Sequence, residues 1–143
     1  MGCELCENAG GEILWEDDFC RATWAYEPDH PGLCRVIWDR HVKEMTDLTP
    51  AERERLMRVV FAVEQALLKV VAPDKVNVAS LGNRVPHIHW HVIPRFNDDP
   101  HFPNSIWGEK LRQGAHSLPP DFSMHMRKAL DGILKPRGLI GRT

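Results

Sequence analysis

Three histidines in alternation, His87-Ile88-His89-Trp90-His91, are the residues whose types and spacing could do chemistry in this sequence. A strand turns successive side chains to opposite faces, so a strand here sets His87, His89 and His91 on one face and Ile88, Trp90 and Val92 on the other. Three readings of that row of imidazoles stay open on the residues alone. The histidines are surface residues of a half-exposed strand, an account that suits any one of them better than all three. Alternatively, His-x-His chelates a metal. The outer pair stand about 13 Å apart along a strand, against zinc–nitrogen bonds of about 2 Å, so only two neighbours and a remote ligand share an ion. The third reading is nucleophilic catalysis. Neutral imidazole has one donor and one acceptor nitrogen, and a partner that takes the N–H leaves the other nitrogen free to attack. Cys3 and Cys6 form a second feature, a C-x-x-C spacing suited to two thiolates on one metal, or to free thiols on a frayed end. Cys20 and Cys34 lie inside apolar stretches and read as small core residues.

The histidines need a sheet to stand on, and the rest of the chain supplies one. Gly11 to Glu16 is a first strand, Asp17-Asp18 a turn, and Phe19 to Tyr26 a second strand rich in β-favouring residues. Pro28, Pro31 and Gly32 break the chain before a third strand, Leu33 to Trp38. Thr49-Pro50-Ala51-Glu52 combines a capping box with proline at the first helical position. Leu56, Val59, Val60, Val63, Leu67 and Val70 follow at helical spacing, which predicts a helix of about 20 residues ending before Pro73. Lys75 to Ser80 alternates as a fourth strand, Leu81 to Arg84 turns, and Val85 to Pro94 is a fifth strand closed by its proline. Phe96 to Pro120 is irregular and carries Trp107, and a terminal helix runs from about Asp121 to Leu134. The expected fold is α+β: a largely antiparallel five-stranded sheet, one long helix packed on it, and a C-terminal segment of irregular chain and helix.

The bulk numbers narrow the function. At 143 residues the chain reads as a single domain, residues 1–143. A formal net charge of −2 gives no basic field for gripping nucleic acid. No run approaches the roughly 18 apolar residues of a membrane span, and the first residues lack the basic and apolar regions of a secretory signal. The expectation is a soluble cytoplasmic protein whose cysteines are not disulfides.

The run His87 to Ile93 resembles the signature of the histidine triad (HIT) superfamily of nucleotide hydrolases and transferases, in which histidine alternates with apolar residues. The resemblance extends from Cys3 to Trp107. It takes in the Pro31-Gly32 entry to the third strand, Arg40-His41-Val42 at its end, the capped helix and the Gly82-Asn83 loop ahead of the triad. It implies that His89 attacks the α-phosphorus of a nucleotide derivative to form a nucleotidyl-histidine, which water then hydrolyses. His91 would lie beside the scissile bond to protonate the leaving group and balance phosphoryl charge, and His87 completes the triad. Asn77 and Asn83 match positions where the family places amides for phosphate or ribose. The Gly82 turn would offer backbone N–H groups to phosphate, and Trp107, with His101-Phe102-Pro103, would close over base or ribose or pack in a dimer. The implied substrates are nucleotidyl phosphoramidates, dinucleoside polyphosphates or similar nucleotide conjugates. Nucleotidyl transfer, as in the uridylyltransferase-like branch, and a non-catalytic nucleotide- or zinc-binding adaptor are the alternatives. Several bacterial members and the related galactose-1-phosphate uridylyltransferases imply a structural zinc on Cys3, Cys6, His41 and His87, with no organic cofactor, and the family implies a homodimer with a continuous sheet. Two departures stand out: Leu33 replaces a histidine that many members carry, and the loop before Gly82-Asn83 is short where other members have Gly-Gln after a longer one.

Overall fold

The computed structural model describes residues 2–114 and 116–135. Five strands, β1 (Glu12–Glu16), β2 (Cys20–Trp24), β3 (Cys34–Trp38), β4 (Lys75–Ala79) and β5 (His89–Arg95), form one antiparallel sheet in the order β1-β2-β3-β5-β4. Among the described residues three α-helices accompany it: α1 (Glu4–Glu7), α2 (Pro50–Val70) and α3 (Phe122–Ile133). The expected α+β architecture is present. The short α1 and a 3-10 turn at Met45–Asp47 were not expected, because elements this short carry no periodicity.

Helix α2 begins as its residues dictate. The Thr49 hydroxyl accepts the Glu52 N–H at 3.1 Å and the Glu52 carboxylate accepts the Thr49 N–H at 2.8 Å, so two of the helix's free N–H groups are satisfied reciprocally. Its buried residues, Leu56, Val59, Val60, Val63 and Leu67, recur three and four apart and pack on the sheet face that carries Cys34, Val36, Trp38 and Val92. Phe122, Met126 and Leu130 of α3 complete this core. Cys20 and Cys34 are buried in it as small apolar residues, and burial, with the Asp17 and Asp39 carboxylates nearby, pushes the Cys20 thiol up to about 12.

The opposite face of the sheet carries the histidines. Arg35 faces His91 and Ile37 faces His89 across β3 and β5. The segment that follows α1 lies over the far part of this face, where Gly10 touches Ile37. Gly10 has φ +86, and a Cβ there would come within 2.7 Å of Ile37 Cδ1, so both backbone and space require glycine.

The first four strands differ from expectation by at most two residues at a limit, and both limits of the fifth differ for reasons its prolines supply. The fifth strand starts at His89, not Val85. Pro86 has no N–H to give a ladder, and the His87 N–H turns back to the Val85 carbonyl at 2.8 Å. Pro94 lies inside β5 and does not close it. Pairing with β3 stops at Cys34 opposite Val92, so at Pro94 only β4 lies alongside, and the missing donor costs no second ladder.

Candidate active site

His87 stands at the approach to β5, wholly buried. Its Nε2–H donates to the Trp38 carbonyl, which turns Nδ1 toward the amino-terminal segment. Burial lowers the pKa of His87, and although the Trp38 hydrogen bond opposes this, His41, Arg21 and His89 add to the lowering, so the ring is held neutral. The His87 carbonyl points back along the strand and accepts a hydrogen bond from Nδ1 of His89 at 2.7 Å. A carbonyl only accepts, so that contact fixes the proton of a neutral His89 on Nδ1 and leaves the Nε2 lone pair unshared. His89 is 8% exposed, enough for one edge of the ring to meet a ligand.

His91 follows on the same face, its ring centroid 5.1 Å from that of His89 at an interplanar angle of 74°. Burial first, then the neighbouring His89 and Arg35, push the His91 pKa down to about 4. Its Nδ1 is buried without a hydrogen-bond partner among the described residues. Trp107 comes edge-on to His91, 5.0 Å between centroids. His89, His91 and Trp107 line a cavity of about 370 Å³ together with Gly82, Asn83 and Arg84. Gly82 has φ +75, the left-handed conformation that lets this turn fold tightly toward the histidines. Among the described residues the cavity lining combines two imidazoles, an amide and a guanidinium with the apolar Leu81, Val85 and Trp107, and has no Asp or Glu.

Most of the residues expected at the site meet there, and some lie elsewhere. Gly82, Asn83 and Trp107 meet His89 and His91 in one cavity. Asn77 does not join them: its Oδ1 accepts from Arg95 Nη1 at 2.7 Å, and it lines a separate space of about 520 Å³ along β4. His101 does not lie over the cavity either, since it is buried against His30. His87 is set behind the row, because the strand begins after it. Arg84 was expected here only through the backbone of its turn, and Arg35 was missed. Arg35 was findable as the one charged residue in a strand otherwise apolar, but its place opposite His91 depends on a β3–β5 register the sequence does not print.

Cys3, Cys6, His41 and His87 converge at the back of the site, with one donor atom from each lying within 4.8 Å of all the others. The Cys3 Sγ to His87 Nδ1 distance is 3.4 Å, Cys6 Sγ lies 3.4 Å from His41 Nδ1 and 3.5 Å from His87 Nδ1, and the two Nδ1 atoms are 3.2 Å apart. A tetrahedral zinc with ordinary bonds to sulfur and nitrogen has ligand–ligand edges of about 3.3 to 3.8 Å, so these four residues fit one. Helix α1 makes this possible by carrying Cys6 back toward Cys3, and Arg21 ties the segment down through the Leu5 carbonyl at 2.6 Å and the Ala9 carbonyl at 2.8 Å.

Comparison with known proteins agrees with the fold and the row of histidines. The HIT domain family model matches residues 7–98, and the chain belongs to that family. It is 33% identical over 95 residues to the asymmetrical bis(5'-nucleosyl)-tetraphosphatase of Schizosaccharomyces pombe, covering 63% of this chain and 52% of that one. It is 32% identical over 90 residues to the AP-4-A phosphorylase of Mycobacterium tuberculosis, covering 59% of this chain and 46% of that one. The chain thus spans about half the length of these relatives. Among solved structures, a histidine triad protein from Bradyrhizobium japonicum superposes with a TM-score of 0.70 at 24% identity, covering 92% of this chain and 95% of that one. A Zn-bound histidine triad family protein from Mycobacterium smegmatis superposes with a TM-score of 0.64 at 22% identity, covering 93% and 96%. Among the described residues no helix is long and apolar enough to cross a membrane.

Proposed function

We propose that this protein is a nucleotide hydrolase that works through a covalent nucleotidyl-histidine, and that His89 Nε2 is the attacking atom. The observation that carries this is the 2.7 Å contact that occupies His89 Nδ1 and leaves Nε2 free beside an anion-compatible cavity. In the first step the Nε2 lone pair forms a bond to the α-phosphorus of a nucleotidyl phosphoramidate or dinucleoside polyphosphate. The bond from phosphorus to the leaving nitrogen or oxygen breaks, and the leaving group departs with the electron pair. In the second step water attacks phosphorus, gives up a proton, and returns the electron pair to Nε2 as the nucleoside monophosphate leaves. The Gly82-Asn83-Arg84 turn faces the phosphoryl oxygens, with Arg84 supplying positive charge. His91 is neutral at pH 7 in the free protein, so its proton for a leaving group comes with substrate, whose phosphate charge favours the imidazolium.

Zinc on Cys3, Cys6, His41 and His87 fits this scheme as a structural ion: it would fix the His87 ring, and with it the carbonyl that orients His89. The chain would act as a homodimer, two β4 edges pairing into a continuous sheet, since β4 has only β5 beside it. Light scattering reads that mass directly. A second reading, transfer of the nucleotidyl group to phosphate instead of water, is favoured by the phosphorylase among the relatives. The test is to mix the protein with adenosine phosphoramidate or a dinucleoside polyphosphate, quench, and weigh the intact chain. An adenylyl adduct is expected in the wild type and absent from His89→Ala. Turnover without any adduct, and retained by His89→Ala, would overturn the proposal. Added phosphate separates the two readings by whether a nucleoside diphosphate appears.

A further inference from the structure

Asp99 lies in the turn where the chain leaves β5, and it is 2% exposed. Its carboxylate accepts five N–H groups: Arg95 Nε at 2.7 Å and Nη2 at 3.1 Å, and the backbone of Phe96 at 3.2 Å, His101 at 2.9 Å and Phe102 at 2.8 Å. Burial alone would raise the carboxyl, but Arg95 and the three backbone donors outweigh it and hold Asp99 well below the usual carboxylate range. The same guanidinium donates to Asn77 on β4 at 2.7 Å and to the Asn104 carbonyl at 2.8 Å. Two residues past Asp99, His101 Nδ1 lies 2.9 Å from Nε2 of His30, which sits in the β2–β3 loop, and both rings are buried. At the far end Arg112 Nη1 donates to the carbonyls of Asp99 at 2.6 Å and Phe102 at 2.8 Å.

Neither Asp99, Arg95, His30 nor His101 lines the cavity that holds His89 and His91. What they have in common is the segment 96–112, and the one side chain of that segment in the cavity is Trp107. Trp107 is 50% exposed, so burial of its own surface does not hold it in place. Its turn is closed by the Gly108 N–H on the Ser105 carbonyl at 3.0 Å and by the Asn104 amide on the Glu109 carbonyl at 3.2 Å. Asn104 is in turn the residue whose carbonyl Arg95 grips. Trp107 also lines both the 370 Å³ cavity and the 520 Å³ space along β4. A shift of this ring would therefore change the space beside His91.

A buried ion pair adds little net stability over apolar packing, because both charges lose water. The imidazole pair has a cost as well, since it leaves His30 Nδ1 buried without a partner among the described residues. Such a set of contacts does specify one geometry. We propose that segment 96–112 is a strap and that Asp99, His101 and His30 are positioning residues which, through it, set Trp107 against His91 and fix the width of the substrate cavity. The inference rests on the functional reading above only in taking that cavity as the substrate site.

The test is made on the full chain, metal-loaded, by proton NMR of the histidine ring signals. The Trp107 ring current displaces the His91 signal, so Trp107→Ala moves it. His101→Ala and Asp99→Asn are expected to move it the same way by at least half as much, while the exposed His125 on α3 stays in place. His101→Asn sets an amide where Nδ1 stood and is expected to return the signal toward its wild-type position. If Asp99→Asn or His101→Ala fails to fold, His30→Ala, which removes the other ring of the pair, is expected to move the signal in its place. Expected in kinetics with adenosine phosphoramidate is a KM raised about five-fold or more in His101→Ala with a smaller change in kcat. The proposal is overturned if folded Asp99→Asn, His101→Ala or His30→Ala keeps the His91 signal at its wild-type position while Trp107→Ala moves it, or if Trp107→Ala moves nothing. A wild type that turns over no nucleotide would defeat the functional reading and leave the NMR comparison intact.

Discussion

A histidine ring has two nitrogens, and at His89 one of them is already committed. With Nδ1–H given to the His87 carbonyl, the ring cannot flip or change tautomer without losing a buried hydrogen bond. His89→Ala is therefore expected to lower turnover by at least about 10³-fold, with thermal stability close to wild type and no adduct by mass. A folded His89→Ala protein with wild-type turnover would exclude the role. At His91 the consequence is a pH effect on stability. Its pKa in the fold is pushed from the ordinary 6.5 down to about 4, so the native state binds this proton less readily than the unfolded chain does. The stability it contributes is present above about 6.5 and is lost as pH falls toward 4. His91→Asn removes the titration, and urea denaturation at pH 7 and pH 4 should show the variant losing about 1–3 kcal/mol less than wild type over that interval. Equal losses would mean that His91 is not desolvated in the way its burial implies. The alternation in the sequence was enough to pair His89 with His91 on one face. It was not enough to show that Pro86 sets His87 behind them, nor that His30 and His101, 71 residues apart, share a hydrogen bond. Contacts of that range depend on how loops return, which no local pattern encodes.

At the scale of elements, legibility followed length. Helix α2 was readable end to end because its start is fixed by Thr49, Pro50 and Glu52 and its buried face repeats over 21 residues. Thr49→Ala removes the hydroxyl that accepts the Glu52 N–H, and is expected to cost about 1 kcal/mol, seen as a melting temperature about 3 °C lower. No change at all would mean that water caps the helix as well as Thr49 does. The strands were found with limits off by one to four residues, since flanking residues such as Phe19, Tyr26 and Leu33 have strand-like character but lie beyond the ladder. Helix α1 could not be read. Its four residues owe their shape to the Cys3 carbonyl, which accepts from Cys6 and Glu7, and to Arg21 reaching across from β2. The element that brings Cys6 back to Cys3 is thus a product of tertiary contacts. The cysteine spacing itself was plain in the sequence.

Across the whole molecule the four metal-fitting residues join parts that are far apart in the chain: the amino-terminal segment, the end of β3 and the entry to β5. His87 links this cluster to the histidine row, its ring facing Cys3, Cys6 and His41 while its carbonyl holds His89. Metal removal should therefore act on the fold first and on the chemistry through it. For a ligand held a hundredfold above its Kd the loss on removal is about 3 kcal/mol, or roughly 10 °C in melting temperature for a chain of this size. Cys3→Ser with Cys6→Ser should show the same loss without chelator, and added zinc should not restore it. Adduct formation at His89, followed by intact mass at a temperature where the metal-free protein is still folded, should be slowed and still reach completion, because the proposed scheme keeps Nε2 as the attacking atom. The decisive opposite result is an adduct that never forms in folded, metal-free protein and returns with zinc. The metal would then belong to the reaction itself, and His89 alone would not suffice.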